Sequence, residues 1–118
     1  MTAATMESLR ARREAVVDAH IAAETVQHDV AAALATFHHP RYEVPAMDAV
    51  VDGSDGVHGL LTQLLTAFPD FWLERHALYH SETAVILECR FGGSHRGPWA
   101  GIEATGKQMA VQAACIFV

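Results

Sequence analysis

The segment from Phe68 to Val118 constrains the fold of this chain more than any other feature. It begins Phe68-Pro69-Asp70-Phe71, where a proline ends an apolar helix and the chain turns into a strand. Three strand-like runs joined by short connections follow, at residues 72–80, 83–92 and 107–118. Helices followed by a curved antiparallel sheet predict an α+β cone with a pocket between its two layers.

Length and charge exclude several classes of protein. A chain of 118 residues, 51% of them apolar, is expected to form one domain with its own packed core. Its net charge of −6 disfavours a nucleic-acid partner. No apolar run approaches the roughly 20 residues that a membrane-spanning helix needs, and residues 1–14 do not resemble a signal peptide. We therefore expect no membrane association and a cytoplasmic location.

A small basic cluster lies near the start of the chain. Arg10, Arg12 and Arg13 are interleaved with acidic residues such as Glu7 and Glu14. The mixture of signs favours a solvated helix face over a nucleic-acid contact.

Helical spacing predicts three helices before the sheet. The first spans Met6 to about Thr25, and on it Arg13, His20 and Glu24 share a stripe with apolar side chains, which is unusual for a core-facing surface. A shorter second helix is expected after Asp29, which would cap it. A short strand is expected at 41–44, and a third helix at 57–67 with Ser54 or Asp55 as its cap.

Alternation in the later strands sorts their side chains onto two faces. In the first of them, Trp72, Glu74, His76, Leu78 and His80 are predicted to share one face. The two cysteines, Cys89 and Cys115, fall within apolar strand runs and are interpreted as buried free thiols, with a disulfide as the alternative. The chain ends in the apolar strand Cys115-Ile116-Phe117-Val118, which predicts either a shortened chain or a second subunit covering this edge.

The order of elements resembles the nuclear transport factor 2-like fold, and local sequences resemble its SnoaL-like polyketide cyclase branch. These sequences are His20-Ile21-Ala22-Ala23-Glu24, Phe37 before Tyr42-Glu43-Val44, Asp52-Gly53, Phe68-Pro69-Asp70-Phe71, and Gly93-Ser94-His95-Arg96-Gly97 with Thr105-Gly106. The resemblance covers almost the whole chain and implies a single SnoaL-like domain over residues 1–118.

The resemblance also implies a limited set of activities. The superfamily includes isomerases, cyclases, hydrolases, dehydratases and proteins without catalytic activity, so fold does not fix function. Polyketide cyclases of this branch place an acid/base aspartate near the end of the domain, and no position of this sequence matches it. Family members usually continue into a further strand, so we expect this domain to lack the usual C-terminal strand.

His20 and Glu24 form the best candidate catalytic pair. Four residues apart on a helix, their side chains are neighbours on the stripe that should face the sheet. Glu24 would orient His20, which would accept a proton from a carbon acid, with Tyr42 as a donor to the developing oxyanion. The alternative interpretation is a buried hydrogen-bonded pair that joins helix to sheet.

Other candidate residues define a pocket rather than a metal site. We expect a small hydrophobic molecule to contact Val16, Tyr42, Trp72, Leu87, Trp99 and Met109. The eight histidines lack the spacing of metal ligands, so neither a metal nor a cofactor is expected.

Two functions remain open from the sequence. One is cofactor-free acid/base isomerisation or ring closure of a small hydrophobic or aromatic molecule. The other is a non-catalytic ligand-binding or dimerisation module. A homodimer formed through the outer face of the sheet is expected in either case.

Overall fold

The computed structural model describes residues 2–118 and contains helices, a small β-hairpin and a larger antiparallel sheet. The elements in chain order are α1 (Ala3–Thr25), α2 (Val30–Ala35), β1 (Arg41–Val44), β2 (Ala49–Asp52), α3 (Ser54–Ala67), β3 (Trp72–His80), β4 (Val85–Ser94) and β5 (Gln108–Phe117). This arrangement confirms the predicted α+β architecture of N-terminal helices on a curved antiparallel sheet.

Helix α1 packs against β3 and makes polar contacts with β3 and with the β3–β4 turn. Its buried face carries Val17, His20 and Ala23. Farther toward the N-terminus, Arg13 donates to the carbonyl oxygens of Ser81 and Glu82 at 3.1 and 2.7 Å. Asp18 of α1 accepts from Arg75 of β3 at 2.8 Å. Arg13 of the predicted stripe and Asp18 outside it therefore dock the helix on β3 and on the β3–β4 turn.

The segment between α2 and α3 contains one element that the sequence did not indicate. The side chain of Asp29 caps α2 by accepting from the backbone N–H of Ala32, as predicted. Strand β1 has its predicted bounds, and β2 pairs with it antiparallel after a 3₁₀ turn at Pro45–Met47. Pro45 ends β1, and the residues between it and β2 carry no two-residue hairpin signal such as Asn-Gly, so the sequence did not mark 49–52 as the partner strand of β1.

Helix α3 begins earlier than predicted, and neither predicted residue caps it. It starts at Ser54, and its N-cap is Gly53, which contributes no side-chain hydrogen bond and has a φ of 90°. Glycine fits this position because L side chains are disfavoured at such backbone angles. The prediction of Ser54 or Asp55 as the cap was therefore wrong.

Strands β3, β4 and β5 form one sheet with β4 in the middle. The register between β3 and β4 shifts between Arg75 and Ala77, where a bulge leaves His76 as an extra residue. Arg75 pairs opposite Cys89 and Leu78 opposite Leu87 on the face that α1 covers. The predicted grouping of Leu78 and His80 with Trp72 and Glu74 was wrong, because the bulge reverses the alternation.

Hydrogen bonds join the corner before β3 to the end of β4. Both carboxylate oxygens of Asp70 accept from Ser94 at 2.7 Å, one from its backbone N–H and the other from its hydroxyl. The backbone N–H groups of Arg96 and Gly97 donate to the carbonyl of Ala67 at the end of α3. The two sequence segments at Phe68–Phe71 and Gly93–Gly97 therefore bind each other in the fold.

Candidate functional site

His20 lies at the centre of a cluster of polar side chains formed with Glu24, Thr36 and Tyr42. It projects from the buried face of α1 and its residue is only 6% exposed. Its ring is 5.1 Å from that of Phe37 and 6.0 Å from that of Phe117, measured between centroids, and both pairs meet edge to face. A polar ring enclosed by apolar rings must find its hydrogen-bond partners among nearby side chains.

Glu24 and Tyr42 supply partners on one side of the His20 ring. The Nε2 atom of His20 lies 2.8 Å from Oε1 of Glu24 and 2.8 Å from the Tyr42 hydroxyl. The same hydroxyl donates to Oε1 of Glu24 at 2.6 Å. Three polar groups from α1 and β1 thus meet within hydrogen-bond distance of one another. The structure brings together the three residues predicted to carry acid/base chemistry.

Thr36 fixes the other side of the ring. Its hydroxyl donates to the carbonyl of Ala33 at 2.6 Å and lies 2.8 Å from Nδ1 of His20. Because the single hydrogen of Thr36 is used on Ala33, Nδ1 must carry a hydrogen and donate it to Thr36. Nε2 is therefore the nitrogen that faces Glu24 and Tyr42. Because the single hydrogen of Tyr42 is used on Glu24, the 2.8 Å contact between Nε2 and Oε1 of Glu24 needs a hydrogen on one of these two atoms.

Burial keeps the Tyr42 hydroxyl protonated. Desolvation raises the pKa of Tyr42 far above its usual value, and the neighbouring Glu24 carboxylate raises it further. A phenol in this state serves as a hydrogen-bond donor throughout the physiological range. This is the property that stabilisation of an oxyanion requires.

Both cysteine thiols lie on the buried face of the sheet near this cluster. Burial raises the pKa of Cys115 to about 12, and the nearby Cys89 and Glu24 add to the effect. Burial also raises the pKa of Cys89. Both cysteines are free, and thiols in such surroundings are poor nucleophiles.

The predicted pocket-lining residues are distributed over several regions. Leu87 is fully buried, directly opposite Cys115 on the face that α1 covers. Trp99 and Met109 instead pack around Phe68 in a second core cluster. Trp72 lies beneath the guanidinium of Arg90, and Val16 is 52% exposed. Of the six residues, only Tyr42 contacts the His20 cluster through hydrogen bonds.

Sequence reasoning did not assign Thr36, Phe37 or Phe117 to the site. Thr36 follows the last residue of α2, where a hydroxyl commonly bonds to backbone carbonyls, so its position gave no indication of a histidine partner. Phe37 and Phe117 are 80 positions apart in the printed sequence and meet the same ring only in the folded chain.

Two cavities of about 330 Å³ indent the surface away from His20. One is lined by residues around the β3 bulge and from both faces of β4 and β5, namely His76, Glu88, Cys89, Gln112, Ala113 and Ala114. The other lies between the N-terminal half of α1 and the β3–β4 turn, and is lined by Met6, Leu9, Arg10, Arg13, His80, Ser81 and Glu82. We call the second one the arginine pocket.

Within residues 2–118, no three His, Cys, Asp or Glu side chains converge as metal ligands would. No helix in the same range is both long enough and apolar enough to cross a bilayer.

Comparison with known families shows which family this chain belongs to. The family model described as SnoaL-like polyketide cyclase matches residues 14–118. The chain belongs to this family. The sequence has no match among curated proteins.

Several solved structures resemble the chain over most of its length. TsrD from Streptomyces laurentii is 25% identical with a TM-score of 0.75, and the alignment covers 92% of this chain and 79% of TsrD. AclR from Streptomyces galilaeus is also 25% identical, with a TM-score of 0.70 over 86% of this chain. This chain spans only 63% of the length of AclR.

A third structure supports the fold alone. A protein from Catenulispora acidiphila with a ketosteroid isomerase-like fold, crystallised with trimethylamine, is 20% identical with a TM-score of 0.70. The alignment covers 86% of this chain and 72% of that protein. The nuclear transport factor 2-like architecture predicted from the order of elements is thereby confirmed.

Proposed function

We propose that this SnoaL-like protein binds a small hydrophobic or aromatic carbonyl compound and transfers a proton next to the carbonyl without a cofactor. The observation that carries the proposal is the mutual contact of His20, Glu24 and Tyr42, at 2.6 to 2.8 Å, on the buried face of α1. The product would arise by isomerisation or ring closure.

The hydrogen bonds suggest a role for each group. Nε2 of His20 accepts the proton from the carbon next to the carbonyl, and the electron pair of that C–H bond moves into the substrate to give an enolate. When the substrate binds, the Tyr42 hydroxyl turns its hydrogen from Glu24 to the enolate oxygen, and Glu24 stabilises the imidazolium. Return of the proton to a different carbon completes an isomerisation. Thr36 acts as a positioning residue because it keeps the hydrogen of the neutral ring on Nδ1.

Two further observations support this assignment. Phe37 and Phe117 surround the His20 ring with apolar surface, which suits a hydrophobic substrate and strengthens electrostatic interactions in the site. Membership of a family named for polyketide cyclases also favours carbonyl chemistry. Val16, Trp72, Leu87, Trp99 and Met109 remain proposed contacts of the bound molecule.

A thermal-shift screen against steroids, aromatic polyketides and small cyclic ketones tests the proposal. We expect at least one compound to raise Tm by several degrees. His20→Asn should retain that shift and lose turnover of the compound, whereas the control His58→Asn, which alters an exposed histidine on α3, should keep both. Turnover in His20→Asn equal to that of the wild type would contradict the catalytic role.

A non-catalytic binding or dimerisation module is the second candidate. It is favoured by the way the three polar groups satisfy one another, and by the location of both cavities away from His20. Ligand stabilisation without turnover would support a binding module. A homodimer at micromolar concentration by light scattering, formed without ligand, would support the dimerisation role. We propose a cytoplasmic location for either function.

A further inference from the structure

We propose that the arginine pocket binds a small carboxylate with an apolar body. This site lies between α1 and the β3–β4 turn, apart from the His20 cluster, and does not depend on the function proposed above. Four of its lining residues belong to residues 1–13, which precede the part of the chain that the family model matches.

The apolar wall and the charge of the pocket come from one face of α1. Met6, Leu9, Arg10 and Arg13 follow one another at intervals of three, one and three residues, so their side chains project to the same side of the helix. Met6 remains 43% exposed although it lines a cavity of about 330 Å³. This volume is at the lower end of the range for small-molecule sites, which fits a ligand of modest size.

Arg13 is held in place by neutral groups. Its two terminal nitrogens donate to the carbonyl oxygens of Ser81 and Glu82, which fixes the guanidinium but does not neutralise it. A guanidinium has five N–H donors, so others remain for a ligand. Within the described residues 2–118, no carboxylate lies within 4.0 Å of Arg10 or Arg13, whereas Arg41 and Arg75 both have such partners. The pocket thus carries positive charge in a chain whose net charge is −6.

His80 belongs to the same lining and lies close to an acidic residue of α1. Its side chain is 11% exposed, and its Nε2 lies 3.4 Å from Glu14. Its Nδ1 atom is buried without a hydrogen-bond partner, which is rare in folded proteins. Two arginines and two apolar side chains of the lining match a carboxylate head with an apolar tail. Glu82 is the one acidic residue in the lining and disfavours ligands with several negative charges.

Binding of 3-phenylpropionate, with its amide as the neutral analogue, tests the proposal. In ¹H–¹⁵N spectra of the full chain, we expect 3-phenylpropionate to cause saturable shifts of the backbone N–H signals of residues 6–13 and 80–82. We expect 3-phenylpropionamide to bind much more weakly. Arg10→Gln should weaken carboxylate binding by about tenfold, since a hydrogen bond to a charged group is lost from an exposed residue that the fold does not need.

Arg12→Gln is the matched control, because Arg12 is an exposed arginine on the same helix outside the lining. It should bind as the wild type does. Leu9→Glu, which places a negative charge in the apolar wall, should abolish binding. The proposal is overturned if 3-phenylpropionate causes no saturable shift of these backbone N–H signals, or if 3-phenylpropionamide binds equally well. It is also overturned if Arg10→Gln and Arg12→Gln bind the carboxylate with the same affinity. None of these outcomes bears on turnover at His20.

Discussion

Single residues in this protein act mainly by joining elements that are distant in sequence. Thr36 and Tyr42 complete the hydrogen bonds of a histidine on α1, and Asp70 bonds to Ser94 across the domain. The pair of His20 and Glu24 could be found from sequence because their spacing on one helix fixes their proximity. The role of Thr36 could not, because it depends on how α2 packs against α1.

Asp70 should make stability depend on pH in the acidic range. The backbone N–H and hydroxyl of Ser94 hold the pKa of Asp70 below its usual value. Its stabilising effect is therefore complete above the unfolded value of about 3.9 and is lost as pH falls through the lower folded value. We expect Asp70→Asn to lower Tm at neutral pH, and the difference from wild type to shrink on acidification.

Thermal melts from neutral pH to about pH 2 would measure this difference. Glu103→Gln, which removes an exposed loop carboxylate, is the control and should show little effect at any pH. A Tm difference for Asp70→Asn that stays constant with pH would contradict the assignment.

The two cysteines should resist alkylation in the folded protein. Burial raises the pKa of both, to about 12 for Cys115, so very little thiolate exists near neutral pH. We expect iodoacetamide to label Cys115 at least about tenfold more slowly in the native protein than in urea, followed by mass spectrometry. A cysteine introduced by Gln112→Cys at an exposed site on β5 should react at the ordinary rate. Equal labelling of Cys115 and the introduced cysteine would contradict this account.

At the scale of elements, periodicity located most helices and strands but not their irregularities. The bounds of β1 and β3 agree with the sequence pattern, because prolines flank β1 on both sides and Pro69 ends the helix before β3. The bulge in β3 was not predictable, since an extra residue leaves no compositional signal. Its effect is large because every side chain after it changes faces.

The loop after β4 packs so closely against α3 that a methyl group has no room there. A Cβ at Gly97 would lie 2.8 Å from the carbonyl oxygen of Thr66 and 3.2 Å from the Cα of Ala67, both backbone atoms. We expect Gly97→Ala to lower the free energy of unfolding by about 1–3 kcal/mol, measured by urea denaturation.

Gly59→Ala, which adds the same methyl group at another glycine, should change the free energy of unfolding in the opposite direction. Gly59 lies within α3, and a Cβ there meets nothing within 4 Å. The change should raise the free energy of unfolding by about 0.5–1 kcal/mol through the better helix propensity of alanine. If Gly97→Ala raises the free energy of unfolding as Gly59→Ala does, the contacts of Gly97 with α3 are not close enough to exclude a methyl group.

At the scale of the whole molecule, the cone brings a polar cluster and aromatic rings together from both ends of the chain. Helix α1 contributes His20 and Glu24, β1 contributes Tyr42, and β5 contributes Phe117. The order of helices and strands was enough to predict this architecture. The position of Trp72 was not predictable, because a pattern of alternation does not say which face of a sheet the helices cover. The position of Trp99 was not predictable because it lies in the connection between β4 and β5, where no periodicity applies.

Solvent deuterium exchange into a ketone that stabilises the protein is the most direct test of proton transfer by this cluster. We predict that the wild type and His58→Asn incorporate deuterium next to the carbonyl faster than buffer, as followed by ¹H NMR. His20→Asn and Glu24→Gln should incorporate it at the buffer rate while still binding the ketone. Exchange at the wild-type rate in these two variants, or no exchange above buffer in the wild type, would contradict the account.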